Sequence, residues 1–144
     1  MKLYERKQHL GFAQMLFVGC SNVRGAVMSI DLNFWKYKEN VYLDNQAVYE
    51  KLSAGYSVDG LEELPISQIL KDIEIAFKGW EKLSKCDFEK ENTAFRIFIT
   101  EQFVRFDCYS VSQEDINKII DILFEYDCPL YDSQISERFD GQSQ

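Results

Sequence analysis

Cysteine and histidine are the residue types in this chain best suited to nucleophilic or metal chemistry. The cysteines lie far apart, whereas zinc and redox sites need the CxxC spacing; they are Cys20, Cys86, Cys108 and Cys128. A catalytic cysteine also needs a basic partner, and the single histidine, His9, lies in a charged N-terminal segment. We therefore expect reduced, mostly buried thiols, no bound metal and no cofactor.

Pairs of acidic residues are the second candidate for chemistry, since two carboxylates in one pocket can serve as general acid and general base. Two such pairs are Glu62 with Glu63 and Asp121 with Glu125. The sequence shows no pocket around them, so we expect them to be solvated. The chain also lacks glycine-rich phosphate loops, a GxSxG elbow and an HExxH motif. We therefore expect a protein that is not an enzyme.

Two of the arginines fall in one predicted hairpin. Arg96 and Arg105 are placed to pair with neighbouring acids such as Asp107. A phosphate-binding cluster is the alternative, because a guanidinium group binds phosphate through two parallel hydrogen bonds.

The charge balance of the chain is acidic. It has 24 acidic and 16 basic residues and a net charge of −8. Such a charge repels nucleic acid and anionic membranes and attracts basic partners. Solubility alone is the other explanation. We expect neither nucleic acid nor membrane as a partner, and the oligomeric state stays open.

Length and composition indicate a folded protein of one domain. The chain has 144 residues, of which 46% are hydrophobic and 15% aromatic, so it can form a large core. We assign residues 1–140 to a single α+β domain and residues 141–144 to a flexible tail. No apolar run reaches membrane-spanning length, and the run over residues 12–18 is not followed by a signal-peptide cleavage site, which predicts a cytoplasmic protein.

The elements that must position any site are clearest between Thr93 and Tyr131. Apolar residues alternate over 95–99 and 104–108, which predicts an antiparallel hairpin. Ser112 then predicts the N-cap of an amphipathic helix over 113–126.

The remaining elements are less regular. A stripe of apolar residues predicts the longest helix over 66–83, and a charged connection over 84–92 follows it. Residues 12–18 and 23–32 are typical of a second hairpin, and residues 44–55 of a short capped helix. The fold class is therefore α+β, with an antiparallel sheet of two hairpins packed against two amphipathic helices.

The stretch after the last helix, Asp127 to Asp140 (DCPLYDSQISERFD), is aromatic and polar at once. With the small size and the acidity, it resembles the ending of immunity proteins from contact-dependent growth inhibition and other polymorphic toxin systems of bacteria. The resemblance implies a cytosolic inhibitor that binds and neutralises one cognate toxin domain, a nuclease with a basic active-site cleft in many cases. A small-molecule-binding domain or small enzyme with a carboxylate-lined pocket is the alternative.

If the partner is a basic toxin, exposed acids should steer the encounter and aromatic anchors should supply affinity. The partner-binding residues predicted on this basis are Asp59, Glu62, Glu63, Asp121, Glu125, Tyr131 and Phe139.

Overall fold

A computed structural model describes residues 29–140, which form one antiparallel sheet of seven strands and three helices. The strands are β1 (Ser29–Phe34), β2 (Glu81–Ser84), β3 (Asp87–Lys90), β4 (Thr93–Ile99), β5 (Val104–Tyr109), β6 (Leu130–Asp132) and β7 (Glu137–Phe139). The helices are α1 (Asn45–Ser53), α2 (Ile66–Ala76) and α3 (Gln113–Glu125). The strand order is β2-β3-β4-β5-β1-β6-β7. The predicted α+β class is confirmed, with more strands than the two predicted hairpins supply.

The hairpin of β4 and β5 forms as the alternating pattern predicts. Ile97 faces Phe106 in antiparallel register, and both side chains are buried. The turn is closed by a hydrogen bond from the Thr100 backbone N–H to the carbonyl of Phe103, 2.9 Å long. β1 then pairs with the other edge of β5, so this hairpin lies at the centre of the sheet.

Helices α2 and α3 cover one face of the sheet, as their apolar stripes predict. The Ser112 hydroxyl accepts a 3.1 Å hydrogen bond from the backbone N–H of Asp115 and so caps α3. Ile69 and Ile73 of α2 join the main hydrophobic core together with the apolar residues of β4, β5 and α3. The Tyr126 hydroxyl, just after α3, donates a hydrogen bond to Asp72 of α2 and ties the two helices together.

The prediction of a helix as far as residue 83 is wrong, because α2 ends at Ala76. A glycine, Gly79, interrupts the helical pattern soon afterwards, where helix formation costs about 1 kcal/mol relative to alanine. Trp80 then turns back to the core, with its ring centroid 5.3 Å from that of Phe95.

The predicted charged connection over 84–92 is also wrong, since β2 and β3 form a hairpin there that extends the sheet. One apolar side chain explains the strand. Phe88 is buried and stacks on Phe95 of β4 with 4.9 Å between ring centroids. Its charged neighbours point away from the core, so the segment is polar in composition and still forms a strand.

Helix α1 lies against the opposite face of the sheet and covers part of it. Asp44 caps it by accepting a 2.9 Å hydrogen bond from the backbone N–H of Ala47, and Gly55 follows it with a φ of 90°, as the sequence predicted. A second hydrophobic cluster forms beneath it: Trp35, Val48, Leu52, Leu61, Phe103 and Tyr131.

Three predicted segments lie outside the described residues: the strand over 12–18, most of the strand over 23–32 and the tail 141–144.

Three cysteines are described as free thiols, with Cys108 and Cys128 buried and Cys86 half-buried. None of the helices between Ser29 and Asp140 has the length and apolar content that crossing a bilayer requires.

Candidate functional site

Helix α1 covers only part of one sheet face, and the uncovered part of the same face carries a row of charged residues. Four side chains occupy directly opposed positions on neighbouring strands, in the order Asp87 (β3), Arg96 (β4), Asp107 (β5) and Asp31 (β1). Opposed residues of antiparallel strands point to the same side of the sheet, about 5 Å apart at their Cβ atoms. The strands therefore align three carboxylates and one guanidinium on a single surface.

Two ion pairs neutralise part of this row. Arg96 Nε lies 2.7 Å from Asp87 Oδ1, and Arg105 Nε lies 2.8 Å from Asp107 Oδ1. Asp31 has no basic side chain within 4.0 Å among residues 29–140. Among residues 29–140, two arginines thus form ion pairs with two of the three aspartates, and the carboxylate on β1 is the one without an ion pair in that range.

The environment of Asp31 disfavours its negative charge. The residue as a whole is exposed, yet the pKa of Asp31 is raised to about 6, mainly because the protein around its carboxyl group disfavours the charged form. The charge of Asp107 and a hydrogen bond between the two side chains also contribute to this increase, whereas Arg105 opposes it. Asp31 therefore holds its proton more readily than an isolated carboxylate does.

Asp31 should make the protein less stable as the pH rises. Its folded-state pKa of about 6 exceeds the ordinary value of 3.8, so the folded state holds a proton that the unfolded state has lost. The stabilising contribution is complete below the unfolded pKa and is lost as the pH rises through the folded pKa. Denaturation between about pH 4 and pH 7 checks this: Asp31→Asn should gain stability relative to the wild type as the pH rises. A constant difference between the two proteins would contradict the raised pKa.

Exposed aromatic and apolar side chains border the charged row. Tyr109 of β5 is 46% exposed and Leu83 of β2 is 56% exposed. They line a shallow groove of about 320 Å³ over β2 to β5, together with Glu89. We call this surface the acidic sheet face and define it by the residues Asp31, Leu83, Asp87, Glu89, Arg96, Arg105, Asp107 and Tyr109.

The predicted acidic loop is on the surface but away from this row. Asp59 and Glu63 are exposed, and Glu62 is half-buried. Backbone hydrogen bonds fasten the loop to the segment after β1, including one of 2.8 Å from the Glu62 N–H to the carbonyl of Lys36. On α3, Asp121 is half-buried and Glu125 is exposed. The loop packs with the cluster under α1, whereas α3 covers the opposite face of the sheet. The two predicted acidic groups therefore do not lie together on one surface.

The two predicted aromatic contacts are not on an open tail, because both belong to strands. Tyr131 of β6 is 0% exposed and lies inside the cluster under α1, so its interpretation as an accessible anchor is wrong. Phe139 of β7 is half-buried and packs against the main core. The stretch after α3 is a hairpin in which Leu130 faces Phe139.

Sequence reasoning missed Asp31 and gave Asp107 only the role of an ion-pair partner. The alternation in β5 did indicate a polar face with Arg105, Asp107 and Tyr109 on it. The opposition of Asp31 to Asp107 depends on the pairing of β1 with β5, which joins distant parts of the chain.

Within residues 29–140, no group of three or more histidine, cysteine, aspartate and glutamate side chains is arranged to hold a metal ion. Buried Cys128 has a pKa raised to about 12 by burial, so its thiol is protonated at neutral pH. No protein-family model, no curated protein and no solved structure matches this chain.

Proposed function

We propose that this protein is an inhibitor of the immunity type, which binds a basic toxin domain and neutralises it. The observation that carries the proposal is the row of carboxylates on the acidic sheet face. Asp87, Asp107 and Asp31 lie on one surface with Arg96 between the first two, and among residues 29–140 two arginines form ion pairs with only two of the three aspartates. A partner bearing lysine or arginine would complete the row.

A lysine or arginine of the partner would stabilise the complex most if it lay beside Asp31. Its carboxylate has no cation of its own in the described part of the chain, and its pKa is raised because its charge is disfavoured. A lysine or arginine placed beside it would relieve this repulsion. The net charge of −8 acts in the same direction at longer range, by steering a basic domain towards the protein.

Affinity needs contacts other than surface charges, because exposed ion pairs contribute little. Tyr109 and Leu83 are the exposed side chains beside the row that are large enough to bury apolar area against a partner. Tyrosine in particular is enriched among the residues that dominate binding energy. The acidic sheet face therefore combines steering charge with an aromatic contact.

A charge-reversal experiment tests both the partner and the surface. The double variant Asp31→Lys, Glu89→Lys should slow association with the protein encoded by the neighbouring gene about ten-fold at low salt, because charge complementarity acts mainly on the encounter rate. Stopped-flow or surface-plasmon measurements at two salt concentrations give this rate. The effect should shrink at high salt, since salt screens exposed charges.

A matched control separates this surface from overall charge. The double variant Glu63→Lys, Glu125→Lys changes the net charge equally at the predicted acidic loop and on α3. It should slow association less than the first variant. If both variants slow it equally, the acidic sheet face is not the docking surface. If the wild type does not bind the neighbouring gene product, the proposed function fails.

A carboxylate-dependent enzyme is the second candidate, favoured by the raised pKa of Asp31 beside Asp107. The cavity that Asp31 lines, however, does not include Asp107 and has a volume of only about 100 Å³, whereas substrate pockets hold about 300–1,000 Å³. Asp107 is also engaged by Arg105. Binding therefore accounts for the surface better than acid–base catalysis does.

A further inference from the structure

A separate groove of about 520 Å³ lies away from the carboxylate row, between the segment after β1 and the end of the chain described here. Its cationic residues are Lys36, Lys38 and Arg138. Three basic groups around one concavity stand out in a chain with a net charge of −8. We call this concavity the Arg138 groove.

Arg138 is fixed in the wall of the groove by uncharged groups. One Nη donates a 2.7 Å hydrogen bond to the carbonyl oxygen of Trp35. The guanidinium carbon lies 4.5 Å from the ring centroid of Tyr37 and 5.3 Å from that of Trp35. These contacts hold the planar group in one orientation.

Part of the same guanidinium has no partner among the described residues. Its Nε is buried and has no hydrogen-bond acceptor within residues 29–140, and no carboxylate of that range lies within 4.0 Å of the group. Burial lowers the pKa of Arg138, because it disfavours the charged form of the guanidinium. An anion in the groove would stabilise this charge.

The other residues that line the groove limit the kind of anion that it can bind. Lys36 and Lys38 add positive charge, whereas Asp127 and Asp140 also line the groove and offset part of it. The site therefore suits a ligand with one or two negative charges better than a polyanion such as nucleic acid. Apolar surface is available as well, because Tyr42, in the wall of the groove, is 87% exposed.

We propose that the Arg138 groove binds a small organic anion, whose carboxylate or phosphate group pairs with Arg138 and the two lysines. The apolar or aromatic body of the ligand would lie against Tyr42 and Leu43. This site is independent of the acidic sheet face, so either proposal can fail without the other.

Two probes test the proposal and distinguish the two anionic groups. Phenyl phosphate and benzoate are titrated into the full-length protein, with phenol as the neutral control, and the ¹H–¹⁵N signal of Arg138 Nε is followed by NMR. We expect a saturable shift with at least one anion and none with phenol. The tighter-binding probe then identifies phosphate or carboxylate as the preferred group. Titration without a saturable shift for either anion would overturn the proposal.

Variants assign the binding to the groove. Arg138→Lys keeps the charge but loses the guanidinium fork, and should weaken binding of the effective probe about ten-fold or more. Because this change also removes contacts to Trp35 and Tyr37, the double variant Lys36→Gln, Lys38→Gln, at one half-buried and one exposed position, provides a second test and should weaken binding about two- to five-fold. Lys90→Gln, an exposed lysine of β3, should leave it unchanged. Equal affinities in all four proteins would exclude this groove.

Discussion

Phe95→Ala is expected to lower the free energy of unfolding by about 3–5 kcal/mol. Phe95 is 1% exposed and lies at the centre of an aromatic cluster on β4. Its ring centroid is 4.9 Å from those of Phe77 and Phe88 and 5.3 Å from that of Trp80. Removing it leaves a cavity between the core, α2 and the β2–β3 hairpin, which cannot collapse without moving all three. Chemical denaturation followed by circular dichroism measures the loss.

An exposed apolar residue of similar type provides the control. Ile75 of α2 is 62% exposed, so Ile75→Ala removes little buried area and should change the free energy of unfolding by less than about 0.5 kcal/mol. If Phe95→Ala were no more harmful than Ile75→Ala, Phe95 would not be a central residue of the core.

The parts of the fold that the sequence predicts well are those fixed by neighbours along the chain. Alternation over β4 and β5, and the hydroxyl of Ser112 before α3, depend on residues a few positions apart. The Asp44 cap and Gly55 behave in the same way for α1. Local patterns contain this information, so these elements were predictable in position as well as in type.

The β2–β3 hairpin and the end of α2 depend on distant contacts instead. Phe88 becomes a core residue only because Phe95 is available to stack on it, and Trp80 leaves the helical stripe to join the same ring. Read alone, a segment with one apolar residue among charges indicates a solvated connection. Tertiary packing overrides that local preference.

The candidate site was harder to predict than the fold for the same reason. Each aspartate of the row is an ordinary surface residue in sequence, and the row exists only once β1 pairs with β5 and β3 with β4. The raised pKa of Asp31 results from Asp107 across the strands and from burial, neither of which composition reveals. Arg138 likewise is held in place by Trp35, whose carbonyl oxygen accepts its hydrogen bond although the two residues are 103 positions apart in the chain.

Tyr131→Ala is expected to have the second large effect, a loss of about 3–5 kcal/mol in the free energy of unfolding. Tyr131 is 0% exposed, and its ring centroid is 5.1 Å from that of Trp35 and 5.6 Å from that of Tyr49 on α1. Its hydroxyl donates a 2.5 Å hydrogen bond to Oε1 of Gln46, also on α1. One side chain of β6 therefore holds α1 to the sheet.

The loss of stability in Tyr131→Ala should be concentrated in α1, because that helix contacts the sheet through the hydrophobic cluster beneath it. Hydrogen exchange measured by NMR should accelerate more over residues 45–53 than over residues 113–125, where the main core is intact. Tyr131→Phe keeps the ring and removes only the hydroxyl, so it should cost about 1 kcal/mol and leave the exchange of α1 nearly unchanged. If the phenylalanine variant loses as much stability as the alanine variant, the hydrogen bond to Gln46, rather than ring packing, fastens α1. If exchange accelerates equally in both helices, α1 is not a separately held element.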